Sequence, residues 1–107
     1  KGNEQGNYIE ASASMMFIYV FAKGAAKGYL PEKYRTFALK SFSSALSEFL
    51  ITGEDGYPVL KNTCGGCGLG GDPYRDGSYE YYVNEKRVDN DPKGFAPFIL
   101  SAIELKR

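Results

Sequence analysis

Cys64 and Cys67 stand in a CxxC at the head of "CGGCGLGGDPYRDGSYEYY", Cys64 to Tyr82. That spacing serves metal binding, dithiol redox chemistry or the packing of a loop. A structural zinc site takes four ligands, and the chain has only these two cysteines and no histidine. A redox dithiol normally opens a helix within an α/β unit, whereas more glycine follows here. The two thiols therefore read as small groups packing a loop, and neither a metal nor a cofactor is expected. Without histidine, any acid/base chemistry would fall to Asp, Glu, Tyr, Lys or Cys.

Glycines 65, 66, 68, 70 and 71 invite comparison with a phosphate cradle. Such loops need a preceding strand, a following helix and, in one case, a Gly-Lys-Ser/Thr end. Asp72-Pro73 follows instead. The other use of such glycines is close backbone approach and positive φ, in a loop folded tightly over a pocket or against a helix. Arg75, Asp76, Tyr79 and Tyr82 come next and admit two readings. Arg75 could grip a carboxylate with two N–H groups while tyrosine faces meet the apolar side of a sugar ring. Alternatively Asp76 caps Ser78 in a turn, Arg75 pairs with Asp76 or Glu80, and the tyrosines alternate into a core. Glu10, ahead of Ser12 and Ser14, is similarly either a helix cap or a ligand group.

The elements that must hold these residues are mostly helical. Lys1 to Tyr8 is polar and aperiodic, a loop or a cut end. Residues from about 10 to 27 form a first helix whose Met15–Ala22 core is apolar on every side, so it should be buried on most faces. Gly28 suits its left-handed stop. A second helix is expected over about 31–52, with Pro31 in the first position, Gly53 just past the end, and an apolar stripe through Tyr34, Ala38, Phe42, Ala45, Leu46, Phe49 and Leu50. The short "GYL" between them predicts an antiparallel hairpin. Residues 53–91 read as a long loop with strand-like runs at "YPVL" and "YEYYV". A last helix is expected over about 95–106, its regular part starting at Pro97, where proline is tolerated.

The chain is 107 residues long, 43% hydrophobic and 15% aromatic, with 13 basic and 13 acidic residues. That suits a single partial domain with a real core. Zero net charge without a basic stripe argues against nucleic acid. The longest apolar run is far short of the ~20 residues a bilayer needs, so no membrane partner is expected. The first helix nevertheless wants apolar partners on more sides than these elements supply. Self-association or an N-terminal partner chain is expected to provide them.

Three segments, "NYIEASASMMFIYVFAKGAAKGYL", "CGGCGLGG…YRDGSYEYY" and "NDPKGFAPFILSAIE", resemble in that order the C-terminal portion of glycoside hydrolase family 105. These are the unsaturated rhamnogalacturonyl hydrolases, related to the family 88 unsaturated glucuronyl hydrolases. The resemblance implies an all-α fold, the C-terminal part of an (α/α)6 barrel, in which the first helix would be surrounded. It also implies a substrate: an oligosaccharide carrying an unsaturated uronic acid, derived from pectin, whose C4=C5 double bond is hydrated. In the family an Asp donates the proton and activates water, and that Asp lies upstream of the segments matched here. No catalytic residue is therefore assigned, and Arg75, Asp76, Tyr79, Tyr82 and Glu10 become candidate pocket-wall residues. A non-catalytic assembly module or a weak glycan-binding module is the rival expectation. Relatives work in the cytoplasm and in the periplasm, so the compartment stays open.

Overall fold

The first long helix, α1 (Ala11–Ala26), carries a buried stripe of Ala11, Met15, Ile18, Ala22 and Ala25, spaced at three and four residues. The computed structural model describes residues 2–106, so Lys1 of the expected N-terminal loop lies outside the described residues. The small side chains of this stripe let two other helices come close, α2 (Lys33–Phe49) and the last long helix, Pro92–Lys106. The chain leaves α1 at Gly28, whose φ of +72° is easy only for glycine. Tyr29 and Leu30 then both donate to the Gly24 carbonyl, at 2.8 and 3.1 Å. Phe21 stacks on Tyr34 and meets the edge of Phe37, each 5.4 Å away, which fastens α1 to α2 near their connection.

The second helix is shorter than its sequence suggests. It begins at Lys33, with the Pro31 and Glu32 carbonyls accepting from Tyr34 and Arg35 in a tight opening turn. It ends at Phe49 because Leu50 turns extended, at φ −97° and ψ 121°. Leu50–Thr52 is instead a strand, β1, paired antiparallel with β2 (Pro58–Leu60) through Leu50↔Leu60, Ile51↔Val59 and Thr52↔Pro58. Gly53 is thus a hairpin-turn residue, donating to the Tyr57 carbonyl at 2.8 Å, and not a helix stop. The apolar periodicity runs straight through the boundary, since Phe49 and Leu60 both belong to the core. Helix and strand bury adjacent residues against one cluster, so the pattern alone does not mark the switch.

The region expected to be one long loop holds more structure. A second two-stranded sheet pairs β3 (Thr63–Cys64) with β4 (Arg87–Val88). Between them "YEYYV" is not a strand but part of a short helix, α3 (Tyr79–Asn84). Its cause is local: Ser78 is extended, and its Oγ accepts from the Tyr81 N–H at 3.1 Å as an N-cap. That cap outweighs the tyrosine alternation, and none of the α3 residues is buried.

The last helix, α4 (Pro92–Lys106), starts a turn earlier than expected, with Pro92 and not Pro97 in the first position. Asp91 caps it, its Oδ1 accepting from the Lys93 N–H at 2.8 Å and its Oδ2 pairing with Lys93 Nζ at 2.8 Å. Pro97 sits buried inside the helix. Two contacts lock α4 onto α1. Buried Ser101 donates to the Met15 carbonyl at 3.2 Å, and Glu104, 5% exposed, pairs with Lys23 at 2.8 Å. Arg35 adds a tie from α2 to the Leu105 carbonyl.

The result is mostly helical with two small sheets, and its core of Met15, Ile18, Phe49, Leu60 and Leu105 lies among the three long helices. Much apolar surface stays outside it. Phe17 is 63% exposed, Val20 55% and Phe37 53%. Ile99 and Ile103 on α4 are also exposed. The radius of gyration is 15.5 Å, against about 13 Å for a self-contained domain of this length.

Gly94 marks the tightest point of the core. A Cβ there would overlap Thr63 Oγ1 and come within 3.3 Å of Leu60 Cδ2, and both neighbours are fully buried. Gly94→Ala should therefore lower stability in urea denaturation by about 1–3 kcal/mol, despite alanine's better helix propensity. Adding Thr63→Ala should restore part of the loss, a non-additivity expected of residues in direct contact.

Candidate functional site

The candidate residues gather at the N-terminal end of α1, where β3, the glycine-rich loop and α3 meet. Glu10 is the join. Its carboxylate accepts from the Ser12 and Ala13 N–H groups at 3.1 and 2.7 Å and from Ser12 Oγ at 2.8 Å. It also accepts from the Cys64 N–H on β3, at 2.9 Å. The carboxylate thus satisfies donors that the helix start leaves open and couples β3 to them. Partial burial pushes its pKa up, but the N–H groups of Ala13, Cys64 and Ser12 outweigh this and hold it below the usual carboxylate value.

Arg75 is turned onto its own loop. Its Nε donates to the Gly70 carbonyl at 2.9 Å and its Nη2 to the Leu69 carbonyl at 3.5 Å. Gly70 and Arg75 also exchange backbone hydrogen bonds of 2.8 and 3.1 Å. The glycines make room for this clasp: a Cβ at Gly68 would lie 2.6 Å from Arg75 Nη1, and one at Gly71 3.0 Å from Nη2. The cradle suggested by the glycines is filled by the chain's own guanidinium. Arg75 does not pair with Asp76 or Glu80 as the turn expectation has it; loop carbonyls accept from its Nε and from Nη2. Asp76 does cap the turn, accepting from the Ser78 N–H at 2.8 Å, which lowers its pKa.

The tyrosines divide by role. Tyr79 donates to the Glu4 and Gln5 carbonyls at 3.2 and 3.0 Å, holding the N-terminal turn. Tyr81 accepts from the Gly68 N–H at 3.1 Å, tying the loop to α3. Tyr82 stacks on Tyr8, with ring centroids 5.4 Å apart and planes 6° from parallel, and Arg87 lies over the other partner of that stack, 4.7 Å from the Tyr8 ring. An open hollow of about 290 Å³ is lined by Cys67, Gly68, Leu69, Gly77, Tyr81 and Tyr82. Of the five residues singled out by sequence, only Tyr82 lines it. Arg75, Asp76, Tyr79 and Glu10 are not in its lining; each is hydrogen-bonded to the backbone of its own or another segment. Tyr8 and Arg87, which meet beside Tyr82, are not among the residues expected from sequence. Their partners are distant in the chain, and no local pattern points to them.

A larger groove of about 640 Å³ runs between α1 and α2, bordered by Ile9, Phe17, Phe21, Phe37 and Phe49 with Lys40 and Glu48. Its exposed lining surface is chiefly apolar, with Ser14, Ser41 and Ser44 among the polar side chains. Among the described residues no group of three or more His, Cys, Asp or Glu could hold a metal ion. No helix among them is long and apolar enough to cross a membrane.

This geometry has a counterpart among known proteins. The profile of Glycosyl Hydrolase Family 88 matches residues 1–107, and the chain belongs to that family. Its fold superposes with a TM-score of 0.94 on a solved family 105 glycoside hydrolase of C. acetobutylicum ATCC 824, at 42% identity over 99% of this chain and 29% of the other. The chain is thus part of the helical-barrel fold of that enzyme. It is also 37% identical over 105 residues to Protein Atu3128 of Agrobacterium fabrum (strain C58 / ATCC 33970) and to the 24.9 kDa protein in picA locus of Rhizobium radiobacter. Each match takes in 92% of this chain but 45% of the relative, so the chain spans less than half the length of these curated relatives.

The Glu10 cap gives stability a defined pH dependence. Its folded pKa lies below the unfolded value of about 4.3, so its contribution is complete above that value and is lost as pH falls through the folded pKa. Glu10→Gln should cost about 1 kcal/mol at pH 7 and flatten the part of the acid limb below pH ~4. Denaturation midpoints of the two chains from pH 7 to pH 3 should converge as the acid is approached.

Proposed function

We propose that this chain is a wall segment of a glycoside hydrolase that removes an unsaturated uronic acid from pectin-derived fragments by hydrating its C4=C5 double bond. The observation that carries the reading is the family match over all 107 residues, joined to a 0.94 TM-score on a family 105 glycoside hydrolase. Within that fold the segment supplies the loop between β3 and α3. Tyr82 and Leu69, the latter 75% exposed, offer an aromatic and aliphatic surface to a sugar ring. The Arg75 guanidinium, exposed and held by two carbonyls, is the group suited to a uronate carboxylate. Asp76, Tyr79 and Glu10 keep that loop in shape.

The proton donor lies in another part of the barrel. Asp76 and Asp91 both have lowered pKa values, Asp76 through the Ser78 N–H and Asp91 through Lys93, the reverse of what a proton-donating carboxyl at neutral pH requires. The groove between α1 and α2 and the exposed Ile99 and Ile103 of α4 are covered by the remaining helices of the fold. Exposed apolar surface and a large radius of gyration support this, together with the 71% of the family 105 chain left unmatched.

The test is an assay of the 107-residue chain on an unsaturated galacturonyl disaccharide, following the ultraviolet absorbance of the double bond. The chain alone should leave the absorbance unchanged. Turnover proportional to its concentration, and retained through repurification, would overturn the assignment of the proton donor to another segment. Calorimetric titration of saturated and unsaturated galacturonides separates the rival module. Binding to both alike would favour a lectin-like role, whereas a preference for the unsaturated sugar, weakened by Arg75→Ala, would support the wall reading.

A further inference from the structure

The two thiols are not spread along the loop but brought together. Cys64 Sγ and Cys67 Sγ lie 3.2 Å apart, and both are free. Cys64 is anchored on β3, its N–H bound to the Glu10 carboxylate at 2.9 Å and its backbone paired with Arg87 across the β3–β4 ladder. Cys67 is exposed and stands on the rim of the hollow beside Tyr81 and Tyr82. The two glycines between them make the approach feasible. Gly65 donates to the Lys86 carbonyl at 2.7 Å, and a Cβ at Gly65 would lie 2.9 Å from that same oxygen. Gly66 has open space around it.

We propose that Cys64 and Cys67 form a reversible disulfide site, a covalent clip fastening the start of the glycine-rich loop to β3, closed by exchange with a small disulfide such as oxidised glutathione. One cysteine thiolate attacks a glutathione sulfur, the glutathione S–S bond breaks, and one reduced glutathione leaves. The second cysteine thiolate then attacks the protein sulfur of the mixed disulfide, the Sγ–Sγ bond forms, and the second glutathione leaves. Two cysteine thiols are oxidised, one glutathione disulfide is reduced, and the two cysteine protons end on the two glutathione thiols. Desolvation by its surroundings, the hydrogen bond with Cys64 and the carboxylates of Glu85 and Glu10 push the Cys67 thiol up to about 11. Cys67 is therefore a weak entry point at neutral pH, and the pair suits a clip better than a turnover catalyst. The clip does not depend on the glycan reading.

The experiment equilibrates the 107-residue chain in mixtures of reduced and oxidised glutathione, quenches with acid, alkylates the remaining thiols and weighs the products. The intramolecular disulfide should be the main oxidised species, reopened by dithiothreitol, and its formation constant in native buffer should exceed that in concentrated urea by about tenfold or more. Cys67→Ser, at an exposed position and with its fold verified by circular dichroism, should yield one glutathione adduct and no internal bond. Two glutathione adducts per chain, or equal constants in native buffer and in urea, would overturn the proposal.

Discussion

The Glu10 carboxylate meets donors from two elements at once, and the surrounding architecture depends on that convergence. The start of α1 leaves N–H groups with no helical partner. Two of them point at Glu10, and the Cys64 N–H arrives from β3, 54 residues further along the chain. The backbone repeats the connection, since the Ala11 N–H donates to the Asn62 carbonyl at 2.9 Å. With β3 fixed in this way, β4 pairs to β3 and the chain between them has both ends anchored to the head of α1. The glycine-rich loop and α3 are therefore tied at both ends to the head of α1, though most of their residues are exposed.

Two kinds of stabilisation divide the molecule. Around α1 the helices are held by apolar burial, with a few polar pins such as Ser101 to the Met15 carbonyl and Glu104 to Lys23. Above it the order comes from hydrogen bonds: the Arg75 clasp, the Asp76 turn, the Ser78 cap, Tyr79 on the N-terminal turn and Tyr81 on Gly68. Each such bond contributes little net free energy in exposed surroundings. Together they define one shape for a segment that buries almost nothing. Such a segment keeps most of its side chains outward, whereas a loop shaped by burial would turn them inward.

Helix content was largely legible in the residues because helices advertise a period. The buried stripe of α1 and the apolar stripe of α2 recur at three and four residues, and Gly28 takes the positive φ its position suggested. What sequence could not show was set by partners far along the chain. Leu50 to Thr52 continues the helical apolar pattern but is claimed by β2, and two-residue strands such as β3 and β4 carry no period at all. Pro97 misled in the opposite sense. It lies within α4 because Asp91 and Pro92 start the helix a turn earlier, where capping is strongest. "YEYYV" went wrong for a related reason, since one serine hydroxyl outweighed a run of alternating tyrosines. At the site, Asp76 behaved as a local turn residue and could be read locally, whereas the Tyr8–Tyr82 stack joins positions too distant for any local pattern to reveal.

The glycine-rich loop shows why composition alone identifies a site poorly. Its glycines suited a phosphate cradle, yet the group they admit is the guanidinium of Arg75, seven residues beyond Gly68. Electrostatics favours this arrangement, because the Leu69 and Gly70 carbonyls point at the cation, whereas a phosphate cradle turns its N–H groups toward an anion. The loop consequently presents a positive group braced by carbonyls, next to an aromatic hollow. The proposed uronate reading rests on that pairing of a cation with a stacking surface.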